Sequence, residues 1–381
     1  MTTTNDPPQL DGGNAVDATN ATTPDDPAGA LVERIIAAVL GASECQAVYL
    51  GEHLGWYDAL AELGSATAAE LATHTSTDAR YAQEWLEQQT VSGYLAVDDA
   101  AAPQAERRFR FPPGHEEVLT DRDSLAFARP FASMAAAFGR RLDDLVAAYR
   151  SGNGVSWQQQ GVDAREGQAA ANRPLYLHRL GQEFLPSVPD IDARLRSNAR
   201  VADVGCGFGW STIGIALAYP TVTVIGLDVD APSIEAARVN AEASGVADRV
   251  MFQIVDAGDP GDVPGAGSFD LVTAFECIHD LADPVGVLST MRRLAGPNGA
   301  VLVMDEAVGE AFTGLPDPIE QLMYGFSLMC CLPDGRAHQP SAATGTVMRP
   351  AVLDRYAVEA GFGGAEVLDI DADFFRFYRL Q

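Results

Sequence analysis

The feature that most constrains this chain is the run V-A-D-V-G-C-G-F-G at positions 201–209. A strand-like segment leads straight into Gly205, Gly207 and Gly209, and an apolar helical stretch follows. Alternate glycines let the backbone turn sharply and approach a ligand without a Cβ in the way. Four more short apolar runs come after it: TVIGLDV (223–229), VMFQIV (250–255), FDLVTAF (269–275) and AVLVM (300–304), with helical segments between them. Nearly continuous apolar runs of this length belong to buried parallel strands. Their β-α-β-α-β order predicts an α/β, doubly wound, mostly parallel sheet that binds ligands at the carboxyl ends of its strands.

The chain before Arg200 has a different texture. Residues 1–27 are rich in Thr, Asp, Asn and Pro, have little to bury, and read as a disordered tail. Residues 28–123 read as a mainly helical domain. One helical stretch carries Leu31, Ile35, Ala38 and Val39, and a second runs through Val48, Leu50 and Leu54. Thr67 with Glu70 forms a capping-box pattern, and Asp78 starts the next helix. YLAV (94–97) and RRFRF (107–111) then supply a strand pair, which completes a winged-helix pattern. Residues 124–199 read as interrupted helices, a linker that walls a substrate pocket.

Charge argues against DNA as the partner of that winged helix. The chain has 53 acidic and 25 basic residues, a net charge of −28, and every basic residue is arginine. Without lysine, Schiff-base chemistry and a P-loop lysine are excluded. Between 60 and 125 the basic residues are Arg80, Arg107, Arg108, Arg110 and Arg122, outnumbered by acids, and DNA binding needs a basic footprint. Packing and homodimerisation are the expected roles of this domain, with no nucleic acid and no membrane as partner. No run of about 18 apolar residues suggests a membrane span. The five cysteines, Cys45, Cys206, Cys277, Cys330 and Cys331, lack the spacing of a zinc site or disulfide framework, and a reducing cytoplasm is the expected setting.

At the glycine turn, position 210 is Trp, so the G-x-G-x-x-G spacing of a dinucleotide site fails. Asp228 in IGLDVD ends the next strand, where a carboxylate can accept both hydroxyls of a ribose. Asp256 in IVDA ends the one after and can accept from an adenine amino group. The two acids and the glycine turn suit a nucleoside without pyrophosphate. With VADVGCGFG, GLDVD, VDA and FDLVTAFECIHDLADP in order, residues 200–381 resemble the class I S-adenosylmethionine-dependent methyltransferases. The winged-helix half resembles the plant and actinobacterial small-molecule O-methyltransferases. The resemblance implies a seven-stranded, Rossmann-like sheet and S-adenosyl-L-methionine as cofactor. It implies that Gly205, Gly207 and Gly209 line the cofactor's amino-acid end above Asp203. Asp228, with Val229 beside it, would bind the ribose, and Asp256 with Ala257 would flank the adenine. Phe275 and Glu276 would close the pocket, and Tyr176 is a further candidate contact. For Asp203 and Asp256 the plain alternative is a cap or turn carboxylate.

His279, in ECIHDLADP just past the fourth apolar run, is the candidate general base. By strand position Asp305 corresponds to the family's orienting acid, with Glu306 next door expected to face the other way. Asp280 is expected to cap the helix that starts near Pro284. Packing is the plain alternative for His279, and a metal held by His279, Asp280 and His338 in a C-methyltransferase of a keto acid is the sharper one. No metal is expected at the site. Residues at about 307–350 carry a dense apolar stretch, Met323 to Leu332, read as a lid over a small, largely apolar molecule. The rival to an enzyme is a winged-helix regulator whose methyltransferase-like half only senses a ligand.

Overall fold

A computed structural model describes residues 26–259 and 265–381. The tail expected at 1–27 lies almost wholly outside the described residues. The chain divides into two units, Met1–Glu44 and Cys45–Gln381.

The first helix, Pro27–His53, is continuous. The two helical stretches expected there are one, because nothing between Val39 and Val48 stops a helix: Gly41 is tolerated at a cost of about 1 kcal/mol. Helices Trp56–Leu63, Ala68–Thr75 and Ala79–Val91 follow. Thr67 Oγ1 accepts from the Glu70 N–H while Glu70 accepts from the Thr67 N–H, and Asp78 caps the next helix, as the sequence pattern requires. Strands β1 (Ala96–Val97) and β2 (Phe109–Arg110) pair antiparallel and form the wing. Trp56, Tyr57, Leu60, Leu71, Trp85, Leu86 and Phe109 bury the helices and wing around one core.

The larger sheet contains β3 (Arg200–Val204), β4 (Thr223–Asp228), β5 (Val250–Ile254), β6 (Leu271–Phe275), β7 (Ala300–Glu306), β8 (Ala365–Val367) and β9 (Phe375–Leu380). Their order is β5-β4-β3-β6-β7-β9-β8. The first five are parallel, and β9 enters antiparallel beside β7. The order reverses at β3, so β3, β4 and β6 meet at the switch point where such sheets bind ligands. β6 and β7 are buried along their whole length between two apolar layers, one on each face of the sheet. The lid is helical: Pro318–Phe326, a π-helical turn Ser327–Cys331, and Leu332–Ala337. It is tied to the interrupted helices, since Gln160 Nε2 donates to the Met329 carbonyl at 3.0 Å and the Trp157 N–H donates to Asp334 at 2.7 Å.

Candidate functional site

The glycine turn has the backbone that its sequence demands. Gly205, Gly207 and Gly209 take φ of 71°, 51° and 79°, a region costly for any residue with a side chain. Below the turn, a Cβ on Gly205 would lie 2.6 Å from Cys277 Sγ, and one on Gly209 2.7 Å from Phe252. A Cβ on Gly207 would meet nothing within 4 Å, so the outer face of the turn is open to a ligand.

Asp228 is bound into this turn. Its Oδ2 accepts from the Gly207 N–H at 2.8 Å, and its Oδ1 accepts from the Asp230 N–H at 2.8 Å. A carboxylate therefore holds the loop amide that a pyrophosphate would need, and its charge repels phosphate. A nucleoside without phosphates fits this donor set. Val229 next to it is exposed. Asp203 lies beneath, fully buried, accepting from Ser211, Thr212 and Thr273 hydroxyls at 2.6, 2.7 and 2.8 Å. It braces the turn from inside rather than facing a ligand. Asp256 is exposed at the end of β5 and accepts from the Gly258 N–H at 2.8 Å, and Ala257 is half-buried beside it. Asp230, which the sequence reading passed over, accepts from Nε and Nη2 of Arg165, at 2.8 and 3.0 Å, and caps helix Ala231–Ala243. The D-x-D-A-P pattern carried the cap; nothing in the sequence carried the arginine.

At the end of β6 the chain kinks. Glu276 has φ 54° and its carboxylate accepts from Tyr176 Oη at 2.7 Å, Asn172 at 3.1 Å and Gln168 at 3.4 Å. The three donors share one helical stretch, which passes into a π-helical turn at Tyr176–Phe184 after Pro174 removes an N–H from the helix. Burial pushes the Glu276 carboxyl up to about 7 against these donors. The Phe275 ring is buried between Tyr176 and Phe377, at centroid distances of 6.0 and 6.2 Å, so it offers a ligand its backbone rather than its ring.

Past that kink, His279 is buried with its Nδ1 2.7 Å from Asp305 Oδ1 and 3.0 Å from Glu306 Oε2. Glu306 does not face the other way as expected: it is the last residue of β7, and its longer side chain returns to the same ring. Burial pulls the imidazole pKa down, but Asp280, Asp305 and Glu306 outweigh it and hold it well above the usual histidine range. Burial, with the neighbouring Asp305 charge working against His279, pushes the Glu306 carboxyl well above its usual range, whereas His279 outweighs burial at Asp305 and holds that carboxyl below it. Asp280 is not the helix cap. Asp283 fills that place, accepting from the Gly286 N–H at 2.9 Å, because it lies one residue before Pro284, where the helix starts. Asp280 instead puts Oδ1 2.9 Å from His279 Nε2. His338 is exposed and outside this cluster; among the described residues the third ligand-type group beside His279 and Asp280 is Cys331 of the lid, to which no sequence pattern pointed.

Residues 195–335 match a family model described as a methyltransferase domain. This stretch is a methyltransferase domain. Residues 43–121 match the model of an Rv2258c-like winged HTH domain. Among solved structures, the chain is similar to the mitomycin 7-O-methyltransferase MmcR, with 21% identity, a TM-score of 0.70, and coverage of 93% of this chain and 98% of that one. Human N-acetylserotonin methyltransferase, solved with SAM, shares 19% identity at a TM-score of 0.66, covering 94% of this chain and 99% of that one. These likenesses establish a Rossmann-like methyltransferase fold behind a winged helix. Among curated proteins, the ubiquinone biosynthesis O-methyltransferase of Psychrobacter arcticus is 26% identical over 171 residues, 45% of this chain and 62% of that protein. The 27-O-demethylrifamycin SV methyltransferase of Amycolatopsis mediterranei is 33% identical over 128 residues, 34% of this chain and 46% of that protein. The chain covers less than two thirds of the length of these curated relatives.

Proposed function

We propose that the protein transfers a methyl group from S-adenosylmethionine to a hydroxyl of a small, largely apolar organic molecule. The observation that carries this reading is a buried imidazole, oriented by Asp305 at 2.7 Å, at the strand edge next to an open glycine turn that a carboxylate closes to phosphate. When bound, S-adenosylmethionine supplies an electrophilic methyl on its sulfonium. Asp228 and Val229 hold the ribose, and Asp256 and Ala257 flank the adenine. The loop of Gly205, Gly207 and Gly209, braced by Asp203, receives the amino-acid end. Glu276, Tyr176 and the Phe275 backbone close that side.

His279 serves as general base. With Asp305 fixing Nδ1, Nε2 is the nitrogen that takes the acceptor's proton. In the resting protein Asp280 pairs with a proton on that nitrogen; when the acceptor's hydroxyl takes Asp280's place, that proton leaves on the Asp280 carboxyl, and the neutral imidazole accepts the hydroxyl's proton at Nε2. The lid and the helices at 124–185 hold the acceptor in line with the methyl, and that positioning supplies much of the acceleration.

The N-terminal domain serves homodimerisation and not nucleic acid. Each wing-region arginine from Arg80 to Arg122 already pairs with a carboxylate, as in Arg107–Glu87 at 2.7 Å and Arg108–Glu70 at 2.9 Å, so no free basic stripe is offered to phosphates. The setting is cytoplasmic, in keeping with five unbridged cysteines.

The test is a cofactor-consumption assay across phenols, aliphatic alcohols, amines and keto acids. A phenol or alcohol is expected to be methylated, and His279→Ala is expected to lower its turnover by about 10²–10⁴-fold with little change in cofactor affinity by calorimetry. Full activity in that variant removes the histidine as base. Consumption with keto acids alone removes the O-methylation reading.

A further inference from the structure

We propose that His279 Nε2, an Asp280 carboxylate oxygen and Cys331 Sγ together form a binding site for a divalent cation of the zinc class. One ligand-type atom from each residue lies within 4.8 Å of the other two. Imidazole nitrogen, carboxylate oxygen and thiolate sulfur are the zinc donor set, whereas magnesium and calcium take oxygen ligands and leave thiolate alone.

One further observation supports the site. The histidine is prepared for it: metal-bound imidazoles give their other N–H to a carboxylate, and Nδ1 faces Asp305 at 2.7 Å. Nε2 is thereby aimed at Asp280 and Cys331, and Asp280 Oδ1, 2.9 Å from it, is the oxygen that a cation would share with the ring.

Tetrahedral bonds of about 2.0–2.3 Å require Nε2 and the carboxylate oxygen to stand about 3.4 Å apart, a widening of about half an ångström from the contact seen. The lid supplies the sulfur and the sheet edge supplies the other two donors, so the ion joins the two. Three protein ligands leave a fourth position for water or a solute. A bound ion occupies the Nε2 lone pair. This last consequence rests on the base role proposed for His279: zinc and methyl transfer compete for one nitrogen.

The experiment titrates the chelator-treated, full-length protein with cobalt and then with zinc. One equivalent of cobalt is expected, with a near-ultraviolet thiolate-to-cobalt band that zinc abolishes. Cys331→Ser should remove the band and weaken zinc by at least about tenfold, and Asp305→Asn, which keeps all three ligands, should weaken zinc about 10–100-fold. Absence of stoichiometric cobalt overturns the site, and so does a band that persists unchanged in Cys331→Ser. Where an acceptor is methylated, zinc should lower turnover and a chelator restore it. If no acceptor is methylated, the functional reading fails while the cobalt band still decides the metal site.

Discussion

Glu276 concentrates several costs in one residue. It has a left-handed backbone, a carboxyl raised to about 7, and three donors from one helical stretch. Such strain persists only where the surrounding structure imposes it, and it gathers at functional sites. Its titration has a definite sign. In the unfolded chain the carboxyl loses its proton near its ordinary value of 4.5, whereas in the native protein it keeps it to about 7. Between those values the native state binds more protons, so stability falls as pH rises, and above about 7 the penalty is complete and constant. Glu276→Gln does not titrate. Its unfolding free energy relative to the wild type should therefore rise between about pH 4.5 and 7, by up to about 3 kcal/mol, and then level off. Denaturant melts of the cofactor-free protein across that range measure it, and a difference independent of pH would show that the fold does not raise the Glu276 pKa. The same neighbourhood marks where sequence reading ran out. The glycines, Asp228 and His279 were legible because turn geometry and strand ends restrict residue type. Gln168, Asn172 and Cys331 were not, because each arrives from a segment distant in sequence and contact is made only by tertiary packing.

Among the elements, parallel strands were the most legible, because apolar runs of four to seven residues bounded by turn signals have few other uses. Helix boundaries were less so. The break expected between Val39 and Val48 is absent, and the cap of helix Pro284–Ala295 is Asp283 rather than Asp280. Both aspartates stand near the proline, and only the structure shows which one immediately precedes the first helical residue and caps it. That distinction separates two substitutions of the same type. Asp283→Ala removes the acceptor for the Gly286 N–H and should cost about 1 kcal/mol of stability. Asp280→Ala touches no α-helix terminus; what it loses is its pairing with the His279 imidazolium, a loss that should shrink as pH rises and the ring gives up its proton. Thermal melts of the two variants across pH make the comparison, and a pH-independent loss equal to that of Asp283→Ala would return Asp280 to a capping role. The π-helical turn after Pro174 was beyond reach of periodicity, since its register departs from the 3.6-residue repeat used to find helices.

For the whole molecule, the sequence reading gave a winged helix, then an α/β domain, and a dimer. The first two are borne out by the fold and the matched family models. The proposed dimer would be built on the helix Pro27–His53. Leu31, Ile35 and Val39 form one i, i+4 ridge, and Val32, Ile36 and Leu40 form the next, each residue more than half exposed. Two adjacent ridges are what a second helix packs against, ridge into groove. Together the six side chains expose on the order of 500 Å² of apolar surface, more than a monomer ordinarily leaves in water without a function. A stable interface needs about 800 Å² from each partner, so the ridges must be the centre of a larger contact. A second copy of the helix fits, because two identical apolar ridges related by a twofold axis complement each other. Light scattering should give the mass of a dimer at micromolar concentration. Replacing Ile35, Val39 and Leu40 together by serine should give a monomer, while far-ultraviolet circular dichroism remains that of the folded protein. A wild-type monomer, or a triple variant that stays dimeric, would move the interface elsewhere. The triple variant also separates assembly from chemistry: each site residue proposed here lies between Tyr176 and Cys331 of one chain, so a folded monomer should still bind S-adenosylmethionine.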